Sequence, residues 1–127
     1  MLRGPEPIRE PNMAITRHES TAVYSKVTET NGLVFTAGVI PADLARDCEG
    51  QTAEVLAEID RLLKLCGTDK SKVVQATVWL NDIRHRDAMN KSWSAWLGGK
   101  DAPARACVEA KLIDPRMLVE ISVVAAK

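Results

Sequence analysis

From Met117 to Ala126 the chain reads MLVEISVVAA, and a strand of that composition has no face suited to water. Successive side chains of a strand point to opposite sides. Met117, Val119, Ile121, Val123 and Ala125 then share one wholly apolar face, suited to packing under helices. Leu118, Glu120, Ser122 and Val124 share the other, which is still too apolar to lie bare. A second subunit is the economical cover for it. Glu120 is the one charge in this run. Upstream, Pro103–Glu109 (PARACVE) reads as another strand, with Arg105 set among Ala104, Ala106, Cys107 and Val108, and a turn at Asp114-Pro115 separates the two. A charge inside an apolar β-run costs free energy unless it is paired or waits for a partner. A guanidinium matches a carboxylate bidentately, and a glutamate can hold or activate a water. Arg105 and Glu120 are therefore the candidate chemistry of this chain.

The remaining chain supplies the rest of a sheet and two helices. Ala14–Glu19 forms a short strand and Ser25–Thr30 (SKVTET) a second. Asn31-Gly32 is a hairpin signal because both residues tolerate positive φ, and Leu33–Ala37 is the return strand. Between Cys48 and Gly67 the period changes. Thr52, Val55, Leu56, Ile59, Leu62, Leu63 and Cys66 recur at three- and four-residue steps, with Glu54, Glu58, Asp60, Arg61 and Lys64 opposite. Gly67 ends that helix. Lys72–Leu80 returns to a β pattern, with Val74, Ala76, Val78 and Leu80 on one face. Arg84–Leu97 is helical again through Met89, Ser92, Trp93, Trp96 and Leu97, stopped by Gly98-Gly99. The order β-β-β-α-β-α-β-β predicts an α+β fold, a mixed sheet with two helices on one face.

Composition excludes several classes. Seventeen basic and 17 acidic residues cancel, leaving no electrostatic footprint for DNA, RNA or an anionic membrane. No run approaches the roughly 20 apolar residues of a membrane span. The first twelve residues, MLRGPEPIREPN, lack the apolar core of a secretory signal and read as an extended leader before a single domain over 13–127; a cytoplasmic location is expected. Cys48, Cys66 and Cys107 are odd in number and widely spaced, and His18 and His85 have no ligand partners close in sequence, so neither a disulfide framework nor a metal site is expected.

Six segments resemble the RidA/YjgF family of reactive-intermediate deaminases, also labelled L-PSP endoribonucleases. They are GLVFTAGVIP (32–41), QTAEVLAEIDRLLKLCG (51–67), VVQATVWLNDI (73–83), MNKSWSAWL (89–97), PARACVEA (103–110) and LVEISVVAA (118–126). The most specific piece is P-A-R-x-C-V-E, followed by a V-E-I strand whose glutamate stands fifteen residues after the arginine. The resemblance implies a chorismate-mutase-like fold assembled as a homotrimer, with pockets at subunit interfaces. It also implies hydrolysis of enamine and imine acids, of the 2-aminoacrylate or 2-iminopropanoate type, to 2-keto acids and ammonia. Arg105 would hold the substrate carboxylate and Glu120 would position the attacking water. Tyr24, Asn90 and Cys107 match pocket positions, and the Gly38-Val39-Ile40-Pro41 turn matches the loop lining the site. The chain departs from the proficient pattern T-S-G-Q-I-P at Ala37 and Val39, and Arg86 stands where an aromatic is usual, which places it in a side branch.

An imine is already electrophilic, so this chemistry needs a held anion and a presented water, with no triad, metal or cofactor. Blander readings stand beside it. Arg105 could pair with Glu120 or Glu109 across the sheet, and Glu120 could be only a structural partner. Cys107 reads as an inert small hydrophobe rather than a nucleophile. Asn90 could cap or bridge a loop, Tyr24 could be a lid or an interface aromatic, and Trp79, Trp93 and Trp96 read as packing. Two further functional readings are a non-catalytic trimer that binds small carboxylic acids and, with less in its favour, an endoribonuclease.

Overall fold

A computed structural model describes Gly4, Pro5 and residues 14–127. The leader expected over 1–12 and the boundary at Met13 lie, Gly4 and Pro5 aside, outside those residues. The elements are β1 (Thr16–Ser20), β2 (Ser25–Thr30), β3 (Leu33–Thr36), α1 (Cys48–Leu65), β4 (Val73–Leu80), α2 (Arg86–Leu97), β5 (Ala104–Glu109) and β6 (Val119–Ala126). This is the expected α+β order. Asn31 and Gly32 adopt φ of 50° and 76°, the doubly left-handed turn that matches strand twist and pairs Thr30 with Leu33.

The six strands form one mixed sheet in the order β1-β2-β3-β6-β4-β5. The strand read as apolar on both faces lies inside the sheet, antiparallel to β3 and β4. Its Val119, Ile121, Val123 and Ala125 are at most 1% exposed and meet the buried stripe of α1, Val55, Leu56, Ile59, Leu62 and Leu63. Helix α1 starts at Asp47, whose side chain accepts the Gly50 N–H at 2.8 Å. It ends as predicted at Gly67 (φ 75°), where the Thr68 N–H reaches Leu63 O and the Gly67 N–H reaches Lys64 O.

Two sequence readings change, and the sheet adds one strand relation that local patterns do not announce. The two last strands, separated by the turn at Asp114, do not pair: β4 lies between them, parallel to β5 and antiparallel to β6. Val74 leaves the Ala76–Val78–Leu80 face and is half exposed, because the ladder with β6 slips between Val73 and Gln75. The second helix begins at Arg86, not Arg84: Asp82 accepts the Arg84 N–H and holds Ile83–His85 in a tighter 3₁₀ turn.

Among the described residues nothing covers the sheet face away from the helices. Leu33, Phe35, Val74 and Val108 are between 36% and 50% exposed.

Candidate functional site

The predicted residues gather in two places. The first is at β5, an edge strand. Arg105 stands opposite Ala76 and Cys107 opposite Val78, both fully buried partners, so both side chains point to the helix side. There the Arg105 Nη1 donates to Asn90 Oδ1 at 2.8 Å and contacts Met89 Sδ at 3.7 Å. The guanidinium lies 5.1 Å above the Trp93 ring. Met89, Asn90 and Trp93 are three and four residues apart on α2, so one helix face frames the cation. Among the described residues no carboxylate pairs with Arg105, and its Nε and Nη2 hold no hydrogen bond. The rival pairing with Glu109 does not form: the two stand four residues apart on one strand, roughly 13 Å, and Glu109 accepts the Ile83 N–H at 3.0 Å. Asn90 fixes Arg105 rather than capping a loop.

The second place is on β6. Glu120 stands opposite Trp79, and Trp79 alternates with the buried Val78 and Leu80, so Glu120 projects from the face away from the helices. Two strand spacings and three residues separate it from Arg105, which puts the Cα atoms roughly 14 Å apart with side chains diverging. The rival Arg105–Glu120 pair is therefore ruled out within one chain. The Glu120 carboxylate lies against Gly38: a Cβ there would sit 2.1 Å from Glu120 Oε2. Val39 is clamped beside it, its N–H donating to Ile121 O at 2.8 Å and its O accepting from Ile121 N–H at 3.1 Å. Burial pushes the Glu120 carboxyl above the ordinary carboxylate value.

Tyr24, Gly38 and Val39 line a cleft of about 350 Å³ with Lys26, Ile40 and Pro41, closed on one side by Glu58 and Leu62 of α1. Glu54 accepts the Ala42 and Asp43 N–H groups and pins the loop to α1. A larger cleft, about 780 Å³, runs between α1 and α2 and touches none of the predicted residues. Its lining includes the apolar Ala53, Leu56 and Ala57, while Lys91 pairs with Glu49 and Asp60 accepts the Trp96 Nε1–H at 3.0 Å. Sequence reading missed Trp93 as a support for Arg105 and Lys26 as a wall of the cleft. The 89-90-93 spacing was the available signal for the first.

The family model for Endoribonuclease L-PSP matches residues 14–127. The RutC family protein YoaB of Escherichia coli K12 is 41% identical over 114 residues, 90% of this chain and 99% of its own. This chain is a RidA/YjgF family member. A RutC family protein of Haemophilus ducreyi is likewise 41% identical over 112 residues, covering 88% of this chain and 96% of the relative. The crystal structure of a YjgF-family protein from Neisseria meningitidis superposes with a TM-score of 0.88 at 42% identity, over 91% of this chain and 97% of that one. A YjgF/YER057c/UK114 family member from Mycobacterium tuberculosis gives 0.81 at 27% identity, over 90% and 100%. The RidA/YjgF assignment covers every described strand and helix.

Proposed function

We propose that the protein hydrolyses enamine and imine acids to 2-keto acids and ammonia, in sites shared between protomers of a homotrimer. The observation that carries this reading is Arg105, a guanidinium held from behind by Asn90 and Trp93 with its remaining donors unspent. That is a carboxylate receptor, and each charge-assisted hydrogen bond contributes about 1.5–3 kcal/mol, enough to anchor a molecule of a few heavy atoms. Glu120 is the base: its desolvated carboxylate takes a proton from the water that adds to the imine carbon, and ammonia leaves as the carbinolamine collapses. Cys107, beside Arg105 on the same strand face, shapes the pocket. Because Arg105 and Glu120 project from opposite faces, one small substrate meets both only where two chains pack together. The bare sheet face with Leu33, Phe35, Val74 and Val108 is the surface that such packing would cover. A solution mass near that of a single chain would refute the assembly.

The test follows loss of 2-aminoacrylate or its imine, generated in situ and trapped with semicarbazide, for wild type and Arg105→Ala. Wild type accelerates the loss and the variant falls by roughly 10- to 100-fold or more. If wild type is inert on a panel of imino acids yet binds keto acids through Arg105, the protein is a carboxylate-binding trimer. Cleavage of RNA by the pure protein, unchanged in Arg105→Ala, would support the endoribonuclease reading instead.

A further inference from the structure

Three side chains from three elements converge near the C-terminal end of α1, on the β1–β2 side of the sheet and away from Arg105 at the opposite edge. His18 comes from β1, Glu29 from β2 and Cys66 from the C-cap of α1. One ligand atom from each, a ring nitrogen, a carboxylate oxygen and a thiol sulfur, lies within 4.8 Å of the other two. His18 Nε2 is 2.7 Å from Glu29 Oε2, and Cys66 is 4% exposed. We propose that His18, Glu29 and Cys66 bind a thiophilic divalent cation of the Zn²⁺ type.

The donor set selects the ion. Thiolate and imidazole favour Zn²⁺ and its neighbours over Mg²⁺ or Ca²⁺, which take oxygen ligands. Three protein donors with a fourth position for water are an ordinary zinc coordination. The support around the ligands is already in place. Lys127 Nζ holds the other oxygen of Glu29, Oε1, at 2.6 Å, which leaves Oε2 turned toward the cluster, as outer partners do for ligating carboxylates. Glu29 sits mid-sheet, paired with Thr16 on one side and Val34 on the other. Cys66 is fixed by its N–H on Leu63 O at 3.1 Å and by the left-handed Gly67 after it. Binding breaks the His18–Glu29 hydrogen bond, both atoms turning to the cation, and the Cys66 thiol gives its proton to solvent. No electron moves. The bound ion joins β1, an edge strand, to the end of α1.

Co²⁺ titration of the full chain tests this, since a thiolate-bound Co²⁺ shows a charge-transfer absorption that oxygen and nitrogen ligands lack. The expected result is one Co²⁺ per chain with that band, displaced by Zn²⁺ and not by Mg²⁺. The band is lost in Cys66→Ser and kept in Cys107→Ser. Lys127→Ala, which removes only the outer partner, weakens binding by about 10-fold. No band in wild type, or a band that survives Cys66→Ser, overturns the proposal. Should Cys66→Ser fail to fold, His18→Ala at a quarter-exposed position decides. Its affinity falls by more than about 100-fold if the imidazole is a ligand, and an unchanged affinity sinks the site.

Discussion

Glu120 Oε2 occupies the space where a side chain at residue 38 would begin, 2.1 Å from the Cβ that Gly38 lacks. Gly38 is not in the left-handed region, so its glycine is required by this close approach and not by backbone conformation. Gly38→Ala therefore pushes the carboxylate to another rotamer, at about 0.5–1.5 kcal/mol. The fold survives that, but the proposed base, displaced by about 1 Å, loses on the order of 10²-fold in rate. Thermal melts beside imine-hydrolysis kinetics check it. Combined with Glu120→Gln, the second change adds little, because both act through one group.

The pH dependence of Glu120 has a definite sign. Its folded pKa lies above the unfolded value, so the folded state binds the proton more tightly and stability declines as pH rises through the window between the two. Glu120→Gln is thus expected to melt higher than wild type at neutral pH, with the gain vanishing in acid below the ordinary carboxylate range. In kinetics the acid limb of kcat/KM lies above that range in wild type and disappears in the variant, which is slower by about 10²–10⁴-fold. A variant that melts lower at neutral pH contradicts the burial argument.

Opposite-face placement of Arg105 and Glu120 makes a prediction about mixtures. Arg105→Ala and Glu120→Gln chains are each impaired alone, by roughly 10- to 100-fold or more and by about 10²–10⁴-fold respectively. Co-assembled at random, about one quarter of the shared sites draw Arg105 from one chain and Glu120 from another and are intact. Recovered activity near that fraction after mixed refolding supports shared sites. No recovery, with mixed trimers verified by mass, places each site within one chain.

Gln51 is fully buried, and its side-chain hydrogen bonds among the described residues all go to backbone. Its Nε2 donates to Arg46 O at 3.1 Å and Arg116 O at 2.9 Å, and its Oε1 accepts the Leu118 N–H at 2.8 Å. It ties the loop before β6 to α1. Gln51→Ala orphans three backbone groups and leaves a cavity, so a loss of about 3 kcal/mol or more is expected in denaturant unfolding. A change under about 1 kcal/mol would mean that water replaces the amide.

Local patterns carried the element order. Asn31-Gly32 needs only its own two residues to favour a primed turn, and the Val55–Leu63 stripe needs only one helix face. Relations between elements were not legible in the same way. PARACVE and LVEISVV read as neighbours in sequence, yet β4 enters between them, because a parallel β4–β5 pair requires a crossover that no local pattern announces. Val74 fits its alternation until a slipped ladder turns it outward. Arg105 and Glu120 were visible as misfit charges, but their faces followed from which neighbour each strand acquired.

The cluster of His18, Glu29 and Cys66 shows the same limit from the other side. No ligand spacing exists along the chain, since 11 and 37 residues separate the three, and only the sheet and the helix end bring their atoms within 4.8 Å. Residue type and short-range period therefore specified strands, helices, caps and the two charges that want partners. Which side chains meet was decided by strand order and register, because a contact between distant segments depends on the packing of everything that lies between them.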